Sequence, residues 1–213
     1  MLFQRPGKTQ QSGRIYAFVF VFLSIFMIGG LFGQYFWDEY FSKGKSLPQD
    51  ALNIGGNFTL SSAKGPVSLE QFQGKAVLIY FGYTACPDIC PTTLASMGAA
   101  MESLAQNERD ATQVLFISVD PERDTPQKSH EYASYFYPSF IGLTGTAEEI
   151  ALIARQYKAF YGKVEVDSEL GYTVGHTGST YVLGRDGYVR KLVSHDATPD
   201  EFASTIKEIL KNT

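Results

Sequence analysis

The chain has 213 residues, 44% of them hydrophobic and 19% charged, and a formal net charge of −4. That length and composition suit one well-filled domain with extras and exclude a disordered polymer. The acidic balance, with no basic stripe carrying interleaved aromatics, excludes nucleic acid as a partner.

Residues 1–14 form an N-terminal segment carrying Arg5, Lys8 and Arg14, and the 23 residues from Ile15 to Trp37 then contain no charge. At about 1.5 Å per residue that run spans about 34 Å as a helix, enough for a bilayer core. Basic residues precede it and Asp38 and Glu39 follow it. The positive-inside rule therefore predicts a single-span anchor at 15–37, residues 1–14 in the cytoplasm and everything after the span exported. A cleaved signal peptide is the rival reading, but its core runs about 7 to 15 residues and ends in a small-residue cleavage site. The stretch "GQYFWDEYF" lacks such a site. The expected location is the inner membrane, with the C-terminal domain facing the periplasm or cell exterior. Residues 38–50, ending in the polar "FSKGKSLPQD", read as a linker, and 51–213 as the folded domain.

Within the domain, "GNFTLSSAKGPVSLEQFQGK" suggests a short hairpin and loop, and "AVLIYFGY" a buried central strand. The only two cysteines, Cys86 and Cys90, follow at once in "TACPDICPTTL". Leu94, Met97, Met101 and Leu104 then recur at spacings that make one face of a helix. "QVLFISV" reads as a second buried strand. "DTPQKSHEYASYF" reads as a helix with Thr125 as N-cap and Pro126 in its first position. "FIGLTG" is a short strand; Thr146 with Glu149, and Thr198 with Glu201, have capping-box spacing ahead of two further helices. Between those helices, "STYVLGRDGYVRKLV" reads as a hairpin turning at Gly184 to Gly187. This alternation predicts an α/β sandwich of thioredoxin-like arrangement, a central mixed sheet flanked by helices, with the thiol pair at the first strand-to-helix junction.

A helix N-terminus lowers thiol pKa values, so both cysteines are expected as thiolates, and a spacing of four lets their sulfurs converge on one ion. Redox dithiols of the thioredoxin type sit one residue closer and face a cis-proline before the opposing strand. No proline lies between Pro138 and Pro199, and the loop there reads "YTVGHTGST", offering His176. Two thiolates favour Cu(I), an imidazole adds a site for Cu(II), and structural zinc generally wants four protein ligands. A structural disulfide is the plain alternative in an oxidising compartment, although so short a loop contributes little chain entropy.

"GYTACPDICPTTL", "ISVDPERDTP", "LTGT" and the His176 loop leading to "YVLGRDG" resemble the Sco/SenC family of membrane-anchored copper-delivery proteins, from about residue 50 to the C-terminus. The resemblance implies copper held by Cys86, Cys90 and His176. It also implies assembly of the binuclear copper centre of cytochrome c oxidase, with the oxidase's copper-bearing subunit and a copper donor protein as partners. A thiol-disulfide oxidoreductase working through a Cys86–Cys90 disulfide, and a copper or redox sensor, are the alternatives. Many members of the family carry Asp immediately before the histidine, where this chain has Gly175. Blander readings go to other residues. Asp88 reads as a helix-start carboxylate, His130 and His195 as surface histidines, and Tyr132, Tyr135 and Phe136 as a core-facing stripe. Asp120, Arg123 and Asp124 in "VDPERDTP" read equally as a functional loop or as an ordinary turn and cap.

Overall fold

The computed structural model describes residues 54–167 and 171–211. The expected anchor at 15–37 and the linker at 38–50 lie outside the described residues. Among the described residues, no helix is long and apolar enough to cross a membrane.

The domain opens with a hairpin of β1 (Thr59–Ser62) and β2 (Gly65–Ser68). A 3₁₀ turn at Leu69–Phe72 follows, with Ser68 accepting a hydrogen bond from the Glu70 amide. Next comes β3 (Ala76–Gly82), buried at every position. The helix α1 (Ile89–Ser103) follows, then the short α2 (Gln106–Asp110) and β4 (Thr112–Ser118). The helix α3 (Pro126–Phe136) starts on Thr125, whose side chain accepts from the Lys128 amide. After β5 (Ile141–Leu143), α4 (Ala147–Gln156) starts on a capping box of Thr146 and Glu149. A hairpin of β6 (Tyr161–Glu165) and β7 (Tyr172–His176), a hairpin of β8 (Thr180–Leu183) and β9 (Val189–Val193), and α5 (Pro199–Lys211) complete the domain.

Five strands form the central sheet in the order β5-β4-β3-β8-β9. β3 runs parallel to β4 and antiparallel to β8, and β4 runs parallel to β5. Parallel neighbours need crossovers, which α1 and α3 supply. Alternate residues of β3 feed opposite faces, as the two-residue period of a strand requires. Val77, Ile79 and Phe81 pack with Leu115, Ile117, Ile150, Ile153 and Tyr157 on the α4 side. Leu78 and Tyr80 pack with Leu94, Met97, Met101, Phe116, Phe202 and Ile206 on the side of α1 and α5. Each fully buried side chain of this size contributes about 1.5–3 kcal/mol. Gly142 is needed for close approach of α3 to the sheet, because a Cβ there would lie 1.8 Å from the Ser129 carbonyl oxygen.

Several expectations need correction. The β6–β7 pair, read as loop, is a separate two-stranded sheet, and His176 closes its second strand. The burial of that hairpin is mostly shallow, so no apolar alternation marks it in the sequence. In the aromatic stripe, Tyr132 and Phe136 pack against the core, whereas Tyr135 is 85% exposed. His130 is half-buried rather than a surface residue, with its Nδ1 enclosed and unpartnered. His195 is exposed, as expected, and its carbonyl accepts a hydrogen bond from Thr93.

Candidate metal centre

The site forms where β3 ends. Gly82 is the last residue of β3, and a Cβ there would lie 2.7 Å from the Cys90 sulfur and 2.9 Å from the Phe116 ring. The absence of a side chain at Gly82 therefore makes room for the sulfur. The chain turns through Tyr83 and Thr84, and the Cys86 amide donates to the Tyr83 carbonyl at 3.2 Å. Cys86, half-buried, precedes the helix; Cys90, fully buried, sits in the first turn of α1. The two thiols thus converge through the turn ahead of α1, not as an i,i+4 pair on one helix face. Asp88 takes the N-cap position but its side chain makes no capping hydrogen bond.

His176 reaches the thiols from β7, its Nε2 standing 3.3 Å from the Cys90 sulfur. Its Nδ1 lies 3.2 Å from the Thr177 carbonyl oxygen. A carbonyl only accepts, so Nδ1 carries a proton and Nε2 is the ring nitrogen turned to the sulfurs. The rings of Tyr80 and Tyr83 meet the imidazole edge-on at 6.1 and 5.8 Å between centroids. The Tyr80 hydroxyl, 3.9 Å from the Cys90 sulfur, donates to it, and burial pushes that phenol well above its usual range. Among the described residues, Cys86, Cys90 and His176 are brought together with one ligand atom of each within 4.8 Å of the others.

The electrostatics depart from the expectation of two thiolates. A hydrogen bond from the Cys90 thiol, opposed by burial and aided by His176 and the amides of Asp88 and Cys90, brings the Cys86 thiol down to about 3. Cys90 moves the other way, pushed up by sharing its proton with Cys86, by burial and by the Cys86 charge. Two sulfurs this close, one of them fully buried, hold a single proton between them until a cation replaces it.

Sequence reasoning left the loop "VDPERD" open, and the structure shows it joined to both arms of the site. Asp124 accepts hydrogen bonds from Thr84, two residues before Cys86. Asp120 accepts one from the hydroxyl of Tyr172, on the strand that carries His176. Thr84 and Tyr172 were missed, because only the third dimension brings them to that loop. Gly175, the position of the expected departure, is exposed, and a Cβ there would meet nothing nearer than the Gly162 carbonyl oxygen at 3.9 Å. On a strand it faces away from the His176 side chain.

The family model described as SCO1/SenC matches residues 47–211. The SCO2-like protein of Rickettsia felis is 38% identical over 161 residues, 75% of this chain and 78% of that protein. The structure of Bradyrhizobium japonicum ScoI with copper bound is 39% identical, with a TM-score of 0.67 over 74% of this chain and 99% of that one. BsSco, described as a member of the Sco family of cytochrome c oxidase assembly proteins with a disulfide switch, is 30% identical. Its TM-score is 0.59, covering 76% of this chain and 96% of that one.

Proposed function

From the premise that this chain belongs to the SCO1/SenC family, which matches residues 47–211, we propose that it is a copper carrier serving the assembly of cytochrome c oxidase. Its cargo is held by Cys86, Cys90 and His176. The observation that carries the reading is the convergence of two sulfurs and one imidazole nitrogen within 4.8 Å. Two soft sulfurs and one nitrogen fit Cu(I) and leave room for the further ligands that Cu(II) prefers. The group is one ligand short of a closed zinc site. Copper-bound Bradyrhizobium japonicum ScoI, similar over most of the domain, supports the choice of metal. BsSco supports the link to the oxidase.

In this reading residues 15–37 anchor the chain in the inner membrane and the domain works in the periplasm. Cys86 is the sulfur open to an incoming partner and Cys90 the enclosed one. Copper leaves by ligand exchange on the Cys86 side, toward the copper-bearing subunit of the oxidase, having come from a donor protein.

A second reading has a specific observation in its favour. A half-exposed thiolate at Cys86 beside a buried thiol at Cys90 is also the arrangement of an attacking and a resolving cysteine. That chemistry would keep the cysteines of an apo copper site reduced. Anaerobic titration of the reduced protein tests the first reading. It predicts one Cu(I) per chain and none once Cys86 and Cys90 are joined as a disulfide, since a disulfide offers no thiolate. Copper retained undiminished after complete oxidation would remove both cysteines as ligands.

A further inference from the structure

The β6–β7 hairpin that carries His176 is not hydrogen-bonded into the central sheet, so its distance from the cysteines must be set by other contacts. The loop between β4 and α3 touches both arms. Asp124, its side chain 1% exposed, accepts from the Thr84 amide at 2.8 Å, the Thr84 hydroxyl at 2.5 Å and the Ser118 hydroxyl at 2.6 Å. Lys128 adds an ion pair at 3.1 Å. Asp120, also 1% exposed, accepts from Arg123 Nε at 2.5 Å and from the Tyr172 hydroxyl at 2.8 Å. Arg123 donates through Nη1 to the Tyr172 carbonyl at 3.0 Å, and its guanidinium lies 3.8 Å over the Tyr172 ring and 5.7 Å over the Tyr83 ring. Glu122 pairs with Lys163 of β6 at 2.5 Å.

We infer that residues 120–124 are a positioning frame for the metal centre, in which Asp124 fixes the cysteine arm through Thr84 and Asp120 with Arg123 fixes the histidine arm through Tyr172. Buried carboxylates hydrogen-bonded on several sides hold their partners in one geometry, because every displacement strands a charged acceptor. The two arms are held by different carboxylates and are therefore separable. Loosening the histidine arm costs the imidazole its placement and leaves the two sulfurs alone. Cu(I) needs little beyond the sulfurs, whereas Cu(II) prefers the fuller set with nitrogen. Asp120, Arg123 and Tyr172 thus set the preference between the two oxidation states without touching the metal. This rests on the copper reading above.

The test compares Tyr172→Phe and Asp120→Asn with Thr84→Val, Thr84→Ser and the cap variant Thr125→Ala. Thr125→Ala serves as a control for general loss of stability. Outer partners of metal ligands are typically worth 10- to 100-fold in affinity. Tyr172→Phe and Asp120→Asn should therefore lower Cu(II) affinity about 10-fold or more and hold Cu(I) affinity within roughly threefold. Thr84→Val should weaken both oxidation states, and Thr84→Ser should restore them. In the reduced, metal-free protein the His176 imidazole nitrogen resonances should shift in Tyr172→Phe and stay fixed in Thr125→Ala. The frame is overturned if Tyr172→Phe and Asp120→Asn leave the imidazole resonances and both affinities unchanged. It is equally overturned if they lower Cu(I) and Cu(II) binding alike, in step with their melting temperatures, as Thr125→Ala would. A wild-type protein that bound no copper would sink the carrier reading, while the imidazole resonances would still decide the frame.

Discussion

Two residue-scale features govern the thiols, and each makes a prediction. Gly82 leaves the Cys90 sulfur room, since a Cβ there would stand 2.7 Å from that sulfur and 2.9 Å from the Phe116 ring. Gly82→Ala should therefore destabilise the domain by about 1–3 kcal/mol through overpacking. It should also weaken copper binding by displacing Cys90, which thermal melts and Cu(I) competition can read together; unchanged values of both would show that the strand end yields freely. The proton shared by Cys86 and Cys90 makes the second prediction. Because Cys86 is brought down to about 3 and Cys90 is pushed up, the reduced pair is one thiolate and one thiol at neutral pH. Binding Cu(I) as a bis-thiolate should then release close to one proton per copper at pH 7, measured with a pH-stat in weak buffer. Release of two would mean that both thiols are protonated beforehand.

At the scale of elements, the loop between β4 and α3 joins parts of the chain that are distant in sequence, and its buried carboxylate gives the fold an acid sensitivity. Burial opposes ionisation of Asp124, but hydrogen bonds from Ser118, Thr84 and Lys128 outweigh it and hold the carboxyl below its ordinary value of 3.8. The unfolded chain then takes up this proton more readily than the folded one. The stabilisation is fully present above about pH 4 and is lost as pH falls through the lowered folded value. Asp124→Asn should accordingly lower stability at pH 7 and flatten its decline below pH 4, as seen in denaturant midpoints across pH. An unchanged acid slope would assign that decline to other carboxylates. The elements legible in the sequence are those whose signals are local: the buried run Ala76–Gly82, the cap at Thr125 and the capping box of Thr146 and Glu149. The β6–β7 hairpin was not legible, since Tyr161–Glu165 is mostly exposed and lacks the alternation that marks a half-buried strand. Cys86, Cys90 and His176 could be picked out by residue type and spacing. The ties of Asp124 to Thr84 and Asp120 to Tyr172 span 40 and 52 residues, and no local pattern encodes them.

For the whole molecule, copper delivery and thiol exchange demand the same two cysteines but differ in what they ask of His176. Thiol exchange needs only a thiolate and a resolving thiol, and both survive without the imidazole. Delivery needs the third ligand to hold Cu(II), and Cu(I) alone can stay on two sulfurs. His176→Ala therefore separates them, since the imidazole is carried by a hairpin that is not hydrogen-bonded into the central sheet. The decisive measurement is oxidase activity in cells carrying His176→Ala under limiting copper, with Cu(II) binding and thiol content measured on the purified variant. Copper delivery predicts a folded protein with two reducible thiols, poor Cu(II) binding and failed oxidase assembly. Full oxidase activity in that strain, alongside loss of activity in Cys86→Ser or Cys90→Ser, would contradict it and leave thiol exchange as the function.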